Sequence, residues 1–102
     1  MKTIFIKDFS RFPGPRYKYL GEFSGEEFRD DILIPAIKNN NGDIEINLDG
    51  VLGYGSSFLE ETFGGLVRHG VDKDLILKIR DRIISSDESI KQEVISYIDD
   101  SL

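Results

Sequence analysis

The sequence has no cysteine, a single histidine and only three prolines in 102 residues. Without cysteine there is no disulfide framework and no thiolate metal centre. No apolar run approaches the roughly 18 residues of a membrane span, and the basic, apolar, small-residue order of a signal peptide is missing. Met1 leads straight into the strand-like Thr3–Ile6, so the expected location is the cytoplasm. Positive charge is scarce as well: 13 basic residues against 19 acidic ones give a net charge of −6. A protein that neutralises phosphates needs a basic stripe, and none is present. The nearest candidate, Arg11–Lys18, sets Arg11, Arg16 and Lys18 among aromatics and reads as a solvated hairpin. Neither nucleic acid nor membrane is therefore an expected partner.

Catalytic signatures are missing too. The elbow pattern G-x-S-x-G fails because Phe58 and Leu59 follow Gly55-Ser56-Ser57. His69 lies 12 residues after Ser57 on one predicted helix, a rise of about 18 Å that puts it beyond hydrogen-bond reach. It suits a helix C-terminus instead. The P-loop lysine is absent, and Phe58 occupies the third glycine of G-x-G-x-x-G. Neighbouring acids such as Asp30-Asp31, Glu60-Glu61 and Asp99-Asp100 diverge on a helix and make no shared metal site. No metal, cofactor or catalytic residue is expected; a cryptic enzyme would need Asp49 or Glu60 as its base.

What is present reads as one α/β domain over residues 1–102, with no repeat or linker. Ile44, Ile46 and Leu48 alternate with Glu45, Asn47 and Asp49, the period of a half-buried strand. Gly50, Gly53 and Gly55 then mark a turn, and Ser57 with Glu60 has capping-box spacing at the start of a helix reaching Arg68. On that helix Leu59, Phe63, Leu66 and Val67 face the core, with Phe58 beside them, and Gly64-Gly65 implies close packing against a neighbour. An earlier helix starts at Ser24, with Glu27 at capping-box spacing, and buries Phe28, Ile32, Leu33, Ala36 and Ile37. Pro35 inside it predicts a kink or an early end. Thr3–Ile6 and Tyr17–Leu20 are expected to pair across Pro13-Gly14-Pro15. Asp72 or Asp74 caps a short helix to about Leu77, and Ile79–Ser85 is expected as a strand. Ser86-Asp87 caps a last helix with Ile90, Val94, Tyr97 and Ile98 buried.

Two segments, GYGSSFLEETFGGLVR (Gly53–Arg68) and FSGEEFRDDILIPAI (Phe23–Ile37), resemble a family of small STAS-like domains of unknown function. The resemblance implies a STAS-like α/β sandwich, with a small mixed sheet of about four strands and helices packed on it. Such domains are related to anti-sigma-factor antagonists and to the cytoplasmic STAS domains of anion transporters. In the antagonists, the first serine of an Asp-Ser-Ser-Gly turn is phosphorylated by an ATP-dependent partner kinase. Matched residue by residue, Ser56 takes that place and Ser57 the next, while Gly55 and Phe58 replace the flanking aspartate and glycine. The function this implies is a non-catalytic regulatory module acting by protein–protein contact. Ser56 and Ser57 are the candidate phosphorylation or anion site, and Tyr54, Gly55, Phe58, Glu60 and Glu61 the candidate partner face. The implied partner is a histidine-kinase-like ATPase, and self-pairing into a homodimer stays open. Two alternatives stand beside it: a small-anion or nucleotide sensor at Gly53–Ser57, and an acidic inhibitor that blocks a basic surface.

Overall fold

Strand β1 (Lys2–Phe5) pairs in parallel with β2 (Ile44–Asn47), which pairs in parallel with β3 (Ile83–Ile84) in the computed structural model of residues 1–102. The order is β1-β2-β3, with Ile4 opposite Ile46 and Ile46 opposite Ile83. Period-2 alternation then divides the sheet. Ile4, Ile44, Ile46 and Ile83 are buried on the core face, whereas Thr3, Phe5, Glu45 and Asn47 occupy the other. There Thr3 Oγ1 donates to Glu45 Oε1 at 3.1 Å.

Parallel neighbours need crossovers, and helices supply them. After the single turn α1 (Ile6–Phe9), an extended arm with a 3₁₀ turn at Lys18–Leu20 leads to helix α2 over residues 25–39. The amide of Glu27 donates to the Ser24 hydroxyl at 3.0 Å, the cap its spacing predicts. Helix α2 is α-helical over Gly25–Phe28, widens to π geometry over Arg29–Leu33, and returns to α over Ile34–Asn39. Asn41 and Gly42, at φ 51° and 76°, turn the chain into β2. Helix α3 covers residues 56–68 and likewise carries a π segment, Glu60–Gly64. Helices α4 (Lys73–Arg80) and α5 (Glu88–Ser101) follow, capped by Asp72 and Asp87. Phe28, Leu33, Ile37, Phe58, Leu59, Phe63, Leu66, Val94 and Ile98 join the strand isoleucines in one core.

Several expectations need correction. The sheet has three strands, all parallel, instead of about four in a mixed arrangement. The missing strand is Tyr17–Leu20, because Lys18–Leu20 closes into the 3₁₀ turn and the arm's carbonyls serve a helix instead. Gly25 N donates to Pro15 O at 2.9 Å and Glu26 N to Arg16 O at 3.0 Å, satisfying free amides at the start of α2. Pro35 does not end α2, which continues to Asn39; the widened turn just ahead of it relaxes the helical ladder where the proline lacks a donor. The strand expected over Ile79–Ser85 is shorter and starts later, at Ile83. Ile76 and Ile79 are both buried on α4, which runs to Arg80 and leaves only Ile83–Ile84 to pair with β2. No helix is long and apolar enough to cross a membrane.

Candidate functional site

The turn from β2 into α3 is held from inside. Tyr54 folds its ring towards Phe58, with centroids 6.4 Å apart, and its hydroxyl donates to Leu48 O at 2.6 Å. Burial pushes the Tyr54 phenol up from its ordinary value. The Asp49 carboxylate accepts from Ser86 N and Ser86 Oγ at 2.8 and 3.0 Å, so it ties this turn to the start of α5. At φ 86°, Gly50 adopts a left-handed conformation that a side chain would strain.

Helix α3 starts at Ser56, with Gly55 as its N-cap and no side-chain cap. The expected capping box between Ser57 and Glu60 does not form, since Ser57 lies already inside the first turn. Both serines are exposed. Of the candidate partner face, Tyr54 is half-buried and Gly55 is exposed, but Phe58 and Glu61 are buried and unavailable to a partner in this fold. Phe58 belongs to the core because its ring lies 6.2 Å from that of Phe28 on α2. Glu61 points the same way, towards a buried arginine.

That arginine is Arg29, at the head of the π segment of α2 and 1% exposed. Its Nη1 is bonded to the Glu61 carboxylate and donates to Glu61 O at 3.2 Å, while Nε donates to Asp30 Oδ1 at 2.9 Å. The pair joins the two π segments across the α2–α3 interface. Arg16 reaches in from the arm, with Nη1 2.6 Å from Glu60 Oε1 and 3.1 Å from Glu61 Oε1. Arg68 closes the set from the end of α3, 2.8 and 2.9 Å from the two Glu60 oxygens and 3.3 Å from Glu61 Oε1. Three arginines thus surround two glutamates. Glycines make the room: a Cβ on Gly65 would lie 2.6 Å from Arg29 Nη1, and one on Gly64 would meet Glu60 Oε2. Gly64-Gly65 implies close backbone packing against a neighbouring element, but what comes close is side chains: Arg29 of α2 at Gly65, and Glu60 and Arg68 of the same helix at Gly64. Nothing in the sequence around Asp30-Asp31 marks Arg29 as buried.

The hydrogen bonds from Arg68, reinforced by those from Arg16, hold the Glu60 carboxyl below its ordinary value of 4.5. A carboxylate depressed by folding contributes stability above its unfolded value, and that contribution disappears as pH falls through the lower folded one. Glu60→Gln should accordingly show a shallower loss of urea stability than the wild type between about pH 5 and about pH 3. Parallel slopes would mean that Glu60 is not linked to folding through these arginines.

The exposed aromatic residues lie elsewhere, on the arm and beside it. Tyr17 and Tyr19 stack at 5.7 Å, Phe9 meets Phe23 edge-on at 5.4 Å, and Leu52 N donates to Arg11 O at 3.0 Å, placing Leu52 next to Phe12. The sequence flags Arg16–Tyr19 as possible anchors only through its aromatic content. The contribution of Leu52, 30 residues or more further along the chain, depends on the fold.

No curated protein matches the chain, and no solved structure does. A family model does: the STAS-like domain of unknown function (DUF4325) matches residues 24–91, from the cap of α2 into α5. That span holds both π segments, two of the three strands and the serine turn, more than half of the molecule. By this match the chain belongs to the family of STAS-like domains of unknown function.

Proposed function

We propose that this domain is a non-catalytic regulatory module that acts by protein–protein contact, with Ser56 as its phosphorylation switch. The observation that carries the proposal is the apolar surface of the arm. Phe12, Tyr19, Leu20 and Leu52 expose 70, 82, 57 and 71% of their surface on an otherwise acidic protein. Large exposed aromatic and aliphatic side chains of this kind are what protein interfaces use as anchors. The switch draws support from the exposed, non-capping hydroxyl of Ser56 in the first turn of α3. A phosphate there adds about −1.5 to −2 charge at a helix N-terminus, where it is electrostatically favourable. The kinase would be the histidine-kinase-like ATPase that the likeness to anti-sigma-factor antagonists implies.

The two surface grooves lie at Lys18–Glu22 with α2 and at β1 with α2, so a small anion or nucleotide at Gly53–Ser57 would have backbone amides and two serine hydroxyls but no groove to hold it. An acidic inhibitor is favoured by charge alone. To test the proposal, partners would be captured from native cells and the Kd of each variant measured against the purified partner. Tyr19→Ala and Ser56→Asp should each change that Kd by about tenfold, or 1.4 kcal/mol, with the fold intact. Unchanged affinity in both variants would put the interface elsewhere.

A further inference from the structure

We infer that the free edge of β1 is a docking site for an extended, acidic–apolar segment of a partner protein, which adds to the sheet as a further strand. Strand β1 lies at the margin of the sheet and pairs only with β2, so its outer side has no strand partner in the chain. Natural edges are usually blunted by proline, bulges, several charges or a covering element. Lys2–Phe5 has one lysine and no proline, and Phe5 is exposed. The other margin, β3, is two residues long and offers little to pair with.

Beside β1 runs an apolar groove. Its wall is formed by Thr3, Ile4 and Phe5 of the strand, Phe9 of α1, and Phe28 and Ile32 of α2, and its charged residues are Lys2 and Asp8. An added strand would present alternate side chains to opposite faces. Those on the Ile4 side would enter the groove over Phe28 and Ile32, so they should be apolar. Those on the Phe5 side would emerge beside Lys7, whose ammonium lies 5.4 Å from the centre of the Phe5 ring. Charge decides the second set. Lys2, Lys7, Arg11, Arg16 and Lys18 are basic and Asp8 alone is acidic among the first 20 residues, although acidic residues dominate the rest of the chain. Arg16 is committed to Glu60 and Glu61, Lys18 lies 3.7 Å from Asp31, and Arg11 is on the arm with its carbonyl bonded to Leu52 N, which leaves Lys2 and Lys7 to attract carboxylates. The same two cations disfavour a second copy of this chain on the edge, since a two-fold pairing would set like charges against each other. Main-chain hydrogen bonds would supply affinity, and the alternating side chains specificity.

This surface is separate from the arm, and its test distinguishes the two. The isotope-labelled full chain would be titrated with an acetylated, amidated heptapeptide alternating valine and glutamate, with amide shifts as readout. Saturable shifts centred on Lys2–Phe5 are expected, with binding about tenfold tighter than for the valine–lysine counterpart. Lys7→Glu and Lys2→Glu should each weaken binding about fivefold, or 1 kcal/mol, whereas Tyr19→Ala should leave it unchanged. N-methylation of alternate peptide amides should abolish it. Absence of binding at millimolar peptide, no preference for glutamate, shifts centred on the arm, or a peptide-free dimer sealed through β1 would each overturn the inference.

Discussion

Arg29→Met should lower the unfolding free energy by about 3–5 kcal/mol, the cost of stranding a buried carboxylate by removing its partner. Methionine can fill much of the arginine's space but cannot donate a hydrogen bond. Glu61 would keep only Arg16 at 3.1 Å and Arg68 at 3.3 Å, both from the solvent side, and would lose the guanidinium that meets it inside the α2–α3 interface. Domains of this size have about 5–15 kcal/mol in total, so the variant should approach global instability. The comparison that identifies the mechanism is Arg29→Met with Glu61→Leu in one chain. Taking away both charges removes the desolvation penalty along with the attraction, so the double variant should recover most of the loss. Urea unfolding of the four proteins in the cycle gives the coupling directly. A cost below about 1 kcal/mol for Arg29→Met would mean that apolar packing alone joins the two helices.

Phe58→Ala should cost about 3–5 kcal/mol, the range for emptying a buried aromatic position. Phe58 is fully buried, with its ring between Phe28 of α2 and Tyr54 of the preceding turn. Its loss would open a cavity where the first turn of α3 leans on α2, and it would take the inner support from Tyr54. Phe58→Leu, which keeps most of the volume, should cost less than about 1.5 kcal/mol. Chemical denaturation separates this from the role that sequence position suggests. If Phe58→Ala left stability within about 0.5 kcal/mol of wild type, the ring would behave as a surface side chain and the buried position would be wrong.

The core was legible in the sequence wherever one local period acts alone. Phe28, Leu33 and Ile37 recur at helical spacing and Ile44 and Ile46 alternate, and all five are buried. Ser24 and Asp87 cap the helices that their positions predict. Long-range partners were not legible. Arg29 resembles any solvated arginine beside two aspartates, because what buries it is Glu61, 32 residues away. The π segments follow the same rule, as no local propensity distinguishes them from the α-helical turns on either side. Gly64-Gly65 was the one local sign that something approaches closely. Tyr17–Leu20 misled for a related reason: its carbonyl-bearing neighbours are used by the amides of α2, a contact that alternation within the arm cannot reveal. For the candidate site, the serines stand exposed as a turn requires, whereas Phe58, which the helical period already sets beside the core residues, and Glu61 are buried instead of forming a partner face.

The backbone contact between α2 and α3 has a mechanical consequence. A Cβ on Gly25 would lie only 2.7 Å from Phe58 O, so at this point the backbones of the two helices come close enough to exclude a side chain. Gly25 is also bonded to Pro15 of the arm, and Arg16 grips Glu60 two residues beyond Phe58. Close-packed parts with no compressible layer transmit displacement instead of absorbing it. The serine turn and the aromatic arm therefore behave as two ends of one lever, with Gly25 as the fulcrum.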